Sequence, residues 1–183
     1  TIISAAALVA GLQTPALILI NPIATSGLKG PHPIATRITV AYYRLAALLP
    51  EKLGFALLKN WLIVQFMSSS LAKTKDRARR RWIHAEHHTY FNRFANRDVV
   101  VEAFLASIST DVSAFASRIT VPTLLVAAEL DDITPVAAQH DLQATFPRAT
   151  LRVLPGVGHL IHYEVPTDAA RAVRDFTASL PRR

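Results

Sequence analysis

Two stretches of this chain, ALILI at 16–20 and VPTLLVAAE at 121–129, are apolar almost without interruption. Both are too short to be helices buried all round. Runs of this kind fit strands covered on both faces, and such strands occur where helices close off a parallel sheet. ATLRVLP at 149–155 reads as a third strand. Between the second and third lies TPVAAQHDLQATF, a helix opened by Thr134 and Pro135 and closed by the turn FPRA. A last helix is expected from about Pro166 to Leu180. Strands alternating with helices imply parallel pairing through right-handed crossovers, an α/β architecture.

The first strand is preceded by a small-residue helix over 1–12 and is ended by NPIATSGLKGPHP. From Ile34 to about Ile119 nothing resembles a strand. Helical apolar spacing runs instead through four segments, near 35–48, 51–67, 75–94 and 97–117. The expected organisation is therefore a helix and strand at 1–21, an all-helical insertion at 22–120 and a second α/β part at 121–183.

With 183 residues, 51% of them hydrophobic, the chain can bury a real core. It has no cysteine, which excludes disulfides, thiolate catalysis and cysteine-based zinc sites, and which fits a cytoplasmic location. The apolar run at 1–20 is broken by GLQTP, and that at 53–67 contains Lys59 and Asn60, so neither offers an uninterrupted bilayer span. TIISAAALVA lacks the basic start of a secretory signal and reads as a buried helix. The formal net charge is +7, and six of the basic residues fall between Lys73 and Arg81. That run reads first as a solvated helix face, with peripheral contact to an anionic surface as the alternative. Nucleic acid is not an expected partner, because no aromatic residues interleave with these cations.

Chemistry concentrates beyond the second and third strands. In an open parallel sheet, ligands meet the protein past the carboxyl ends of the strands. His159 lies past one such end in LPGVGHLIHYEVP, and Asp131 lies past its neighbour in VAAELDDITP. A carboxylate beside an imidazole fixes its tautomer, stabilises the imidazolium and leaves the other ring nitrogen to take a proton from a nucleophile. Gly156 and Gly158 allow the loop to present the ring. Asp132 is the alternative carboxylate, and either aspartate could instead serve the start of the following helix. His162 and Glu164 follow too closely to be independent catalysts and read as residues that orient the loop or lead into the last helix. His84 and His88, at i and i+4 in HAEHH, invite a metal, but the pattern is not His-Glu-x-x-His and no third ligand is evident. No metal and no cofactor are expected. Thr1 could in principle act as an N-terminal nucleophile, a chemistry that belongs to other folds.

From Ala16 to its end the chain resembles the second half of an α/β-hydrolase. LILINP is similar to the strand after the nucleophile helix, the helical stretch to a cap inserted after it, AAELDDITP to the acid loop and GVGHLIHYEVP to the histidine loop. The family order is nucleophile, acid, histidine. Its acid stands four residues before the proline, which selects Asp131. The resemblance implies the C-terminal part of an α/β-hydrolase fold, with parallel strands flanked by helices and an all-helical cap. It further implies a hydrolase that cleaves an ester or related bond of a hydrophobic small molecule, with His159 as general base and then acid and Asp131 as its orienter. The aromatic residues Tyr42, Tyr43, Phe55, Trp61, Phe66, Trp82, Tyr90 and Phe94 mostly fit helix packing, and one such face would roof an apolar pocket.

The family's Gly-x-Ser-x-Gly elbow and its Gly-x-Asp-x-Gly counterpart are both absent from the sequence. TIISAAALVAGL resembles the helix that follows that elbow, so the expectation is a fragment whose nucleophile lies elsewhere and which is inactive alone. The edge of ALILI would then be covered by a missing N-terminal segment or by another chain. Two alternatives stay open. One is an epoxide hydrolase or haloalkane dehalogenase with an aspartate nucleophile. The other is a hydrolase-fold protein that binds a lipid or partner through its basic helical insert and catalyses nothing. Were the chain active alone, Ser26 and Thr1 would be the first nucleophiles to examine.

Overall fold

Why the chain turns where it does is visible from its first helix. In the computed structural model, which describes residues 1–29, 33–91 and 93–181, helix α1 (Ile2–Val9) stops at Gly11, whose φ of +106° suits glycine and ends the helix. Strand β1 (Leu17–Ile20) follows, then a short 3-10 turn at Gly27–Lys29. Five helices come next: α2 (Pro33–Leu48), α3 (Glu51–Leu58), α4 (Trp61–Leu71), α5 (Arg77–Tyr90) and α6 (Arg97–Ser109). The remainder runs α7 (Ser113–Ala116), β2 (Thr123–Ala128), α8 (Val136–Thr145), β3 (Ala149–Leu154), α9 (Ile161–Glu164) and α10 (Pro166–Ala178). Residues 30–32, in the expected loop after β1, and residue 92, in the expected 75–94 helix, lie outside the described residues. The chain forms two compact units, Thr1–Thr25 with Thr110–Arg183, and Ser26–Ser109.

The first unit is α/β. Its three strands are parallel in the order β1-β2-β3, with Leu17 opposite Thr123 and Thr123 opposite Ala149. Every residue of β2 is buried, as a central strand covered on both faces requires. Alternate residues of β2 feed two cores. Leu125 joins Ala5, Leu17, Leu19, Val112, Ile119 and Leu142. Leu124, Val126 and Ala128 join Val157, Ile161, Ala169 and Ala172. Strand β1 departs from the expectation of burial on both faces: Leu17 and Leu19 are buried, but Ile20 is 38% exposed. Among the described residues β1 pairs with β2 alone, so its other edge contributes no covering strand.

The second unit is helical. Two expected segments are each broken at a residue whose side chain accepts from the backbone two positions on. Asn60 divides 51–67, because its side-chain oxygen accepts from Leu62 N at 2.9 Å and restarts the helix as α4. The other break, in 97–117, falls where the chain has re-entered the first unit, and there the Asp111 carboxylate accepts from Ser113 N at 2.9 Å. Asp76 caps α5 through Ala78 N at 2.8 Å. Helices α2 and α3 cross at Gly54, where any Cβ would lie 2.1 Å from the Ala46 carbonyl oxygen. Around that crossing Ala46, Leu58 and Val101 form a core rimmed by Tyr42, Tyr43 and Phe94, with Tyr43 stacked on Phe104 at 3.9 Å. Among the described residues no helix is long and apolar enough to cross a membrane.

Candidate active site

Parallel register brings two loops together. Ala128 and Leu154, the last residues of β2 and β3, stand opposite each other, so the chain leaves both strands at one edge. Glu129 N donates to Leu154 O at 3.0 Å and Leu130 N to Val157 O at 2.9 Å. Gly156, at φ +68°, turns the second loop back, and its N–H donates to Glu129 Oε2 at 2.7 Å. Further along, Gly158 N donates to the buried Glu164 at 3.4 Å, which ties the loop to α9.

These ties place His159 Nδ1 2.8 Å from Asp131 Oδ2. The Asp131 side chain is fully buried, while that of His159 is 30% exposed. Asp131 is saturated with donors: Oδ1 accepts from Ile133 N at 2.8 Å and Thr134 N at 3.0 Å, and Oδ2 also accepts from Thr134 Oγ1 at 2.6 Å. Burial by itself would raise the Asp131 pKa. The hydrogen bond and charge of His159, together with the Thr134 bonds, outweigh it and hold the carboxyl below its ordinary value. An ionised carboxylate only accepts, so Nδ1 is the donor in this bond, and in the neutral ring Nε2 carries the lone pair. The arrangement can thus take a proton at Nε2 and stabilise the resulting imidazolium. Nearby His162 has its pKa lowered, first by burial and then by His159.

Asp131 also holds the turn into α8 through Ile133 and Thr134, so one side chain bonds both that turn and the His159 ring. Asp132 is exposed. His84 and His88 do not converge on an ion: His84 Nδ1 meets Ser68 Oγ at 2.6 Å and His88 Nε2 meets Gln65 Oε1 at 2.8 Å. Among the described residues no three metal-ligating side chains cluster. In the basic run Lys75, Arg77 and Arg81 are exposed, whereas Arg80 folds back onto Thr74 O at 2.7 Å. Ser26 donates to Ile108 O at 2.6 Å. A cavity of about 630 Å³ lies at the opposite end of the sheet, against Pro122, Arg148 and Phe176, away from the pair.

Two contributors escaped the sequence reading. Thr134, read as a helix start, is a direct partner of Asp131. Asn21, directly after β1, donates from Nδ2 to the His159 carbonyl at 2.7 Å. The only cue to Asn21 was the dipeptide Asn-Pro at a strand end, which signals a turn.

A sequence model of the alpha/beta hydrolase family matches residues 2–173, and the chain belongs to that family. Over 88 residues it is 35% identical to a protein of Pseudomonas syringae pv. syringae (strain B728a) named as a carbamate hydrolase, RutD, a match covering 48% of this chain and 34% of RutD. Among solved structures, it is similar to the enol-lactonase from Burkholderia xenovorans LB400 at TM-score 0.72 and 18% identity, covering 97% of this chain and 62% of that one. It is likewise similar to the esterase EaEST from Exiguobacterium antarcticum at TM-score 0.70 and 15% identity, covering 97% and 63%. At these identities the structural likenesses establish the fold. The chain spans less than two thirds of the length of each.

Proposed function

We propose that these 183 residues supply the acid and base of a hydrolase that cleaves an ester or related acyl bond of a hydrophobic small molecule. The observation that carries this reading is the 2.8 Å bond from His159 Nδ1 to a buried, fully hydrogen-bonded Asp131, which leaves Nε2 as the other nitrogen of a partly exposed ring. In the proposed reaction His159 Nε2 takes the proton of a serine hydroxyl as its oxygen attacks the acyl carbon. The same proton passes to the leaving group, and water then releases the acyl group by the reverse sequence. Asp131 holds the ring and offsets its positive charge throughout.

The nucleophile and the donors to the developing oxyanion are assigned to sequence outside this chain, which contains no elbow motif. Alone, it is expected to show no esterase turnover. The family name and the esterase, enol-lactonase and carbamate hydrolase names of the similar proteins support acyl chemistry as the class. In the full-length protein, His159→Ala is expected to abolish hydrolysis of a short p-nitrophenyl acyl ester while leaving the fold intact by circular dichroism. Turnover retained in a folded His159→Ala protein would overturn the reading.

A further inference from the structure

The end of β1 is held more firmly than a simple loop exit needs. Asn21 N donates to Val126 O at 2.8 Å. Pro22 O accepts from Nε2 of the fully buried Gln139 at 2.8 Å. Ile23 O accepts from Val112 N at 2.8 Å. Three consecutive residues are thus pinned to β2, to α8 and to Val112 just ahead of α7. Within this frame Asn21 has φ +45°, the one residue other than glycine found at positive φ among the described residues. A positive φ is unfavourable for most L-residues, asparagine tolerates it best, and the proline that follows narrows the options further. Asn21 is nearly buried, and its Oδ1 has no hydrogen-bond partner among the described residues. Neither the backbone conformation nor that buried oxygen favours stability, which directs attention to the other atom of the carboxamide.

That atom is Nδ2, which donates to the main-chain carbonyl of His159 at 2.7 Å across 138 residues of sequence. We infer that Asn21 is a positioning residue for the general base: the pinned end of β1 is a fixed post, and its carboxamide holds the backbone of the histidine loop so that Nε2 keeps one place while Nδ1 stays on Asp131. The inference rests on the acid–base reading above. Glycine at 21 would keep the conformation and lose the donor. Aspartate would keep the shape and present an acceptor to the carbonyl, which repels it. Alanine would lose the donor and strain the backbone as well.

The test uses the full-length protein with a p-nitrophenyl acyl ester, comparing Asn21→Gly and Asn21→Asp with the parent and with His159→Ala. The folded fraction of each variant, taken from its urea unfolding curve, expresses turnover per folded site even where a variant is less stable. Asn21→Gly is expected to lower kcat about tenfold with KM within about twofold, and Asn21→Asp to lower it further, because misplacement by a fraction of an ångström acts on the reacting geometry and not on substrate binding. A kcat per site within about twofold of the parent in both variants, or a loss confined to KM, would overturn the role of Asn21. Undiminished turnover in His159→Ala would instead remove the acid–base reading beneath it, so the two failures are told apart.

Discussion

Histidines are gathered in both units of this chain, and the two groups show how the proposed proton-transfer pair differs from a packing device. In the α/β unit, His159 gives Nδ1 to a buried carboxylate and keeps Nε2 on a ring that is 30% exposed. In the helical unit, His84 Nδ1 and His87 Nδ1 both meet the hydroxyl of Ser68, at 2.6 and 2.7 Å. Ser68 has no exposed surface and His87 almost none. A serine flanked by two imidazoles looks like chemistry in outline, yet no substrate reaches a wholly buried hydroxyl. Its effect is to lock α4 against α5. A buried counter-charge beneath a partly exposed ring marks the first group, and two Nδ1 atoms sharing one buried hydroxyl mark the second.

The contrast is broken most forcefully by exchanging carboxylate for amide. In the full-length protein Asp131→Asn is expected to lower kcat about a thousandfold or more, since the ring loses its tautomer and its counter-charge together. Asp132→Asn is expected to stay within about threefold. Steady-state kinetics on an acyl ester decide this, and a larger loss at 132 would reassign the acid. Ser68→Ala should do the reverse. Two Nδ1 atoms lose their partner in a buried setting, so unfolding free energy in urea should drop by about 1–3 kcal/mol while kcat is unchanged. An equal stability in that variant would mean the serine bonds contribute nothing.

The smallest effect is in pH. His84 has its pKa lowered by burial first and then by Arg80 and His88, and His162 shifts the same way. A histidine whose folded pKa lies below its ordinary 6.5 binds fewer protons folded than unfolded, so stability declines as pH falls below about 6.5. Asp131 adds a second window: its folded pKa lies below 3.8, so the stability it contributes is present above that value and is lost in stronger acid. Urea midpoints measured from pH 8 to pH 3 should show both declines. His84→Gln should flatten the upper one in part, and an unchanged slope would remove His84 from the account.

How legible all this was in the sequence depended on distance along the chain. Strands β2 and β3, the helix between them and the two loops are local patterns, and a local pattern is what periodicity and turn residues encode. Choosing Asp131 over Asp132 already needed the family resemblance, because adjacent carboxylates look alike until a fold aims one of them. The breaks at Asn60 and Asp111 were written in side chains that accept from the backbone two positions on, but were masked by continuous apolar spacing on either side. The half-exposed face of β1 could not be read, since exposure depends on neighbours and not on the strand's own composition. Asn21 was the least legible. Its partner is a backbone carbonyl, which every residue possesses, so no side-chain pattern at 159 points back to 21.

The ladder of bonds joining the β2 and β3 exits has a kinetic meaning. Glu129, Leu130, Gly156 and Val157 tie two loops whose key residues are separated by only 28 positions, with one short helix intervening. Loop-closure entropy grows slowly with length and is small for so compact a crossover. The β2–α8–β3 segment can therefore bring Asp131 to His159 early in folding, before the distant clamp from Asn21 or any contribution from outside the chain is in place. Amides of Leu130 and Gly156 would then gain protection from exchange together, as one cooperative unit.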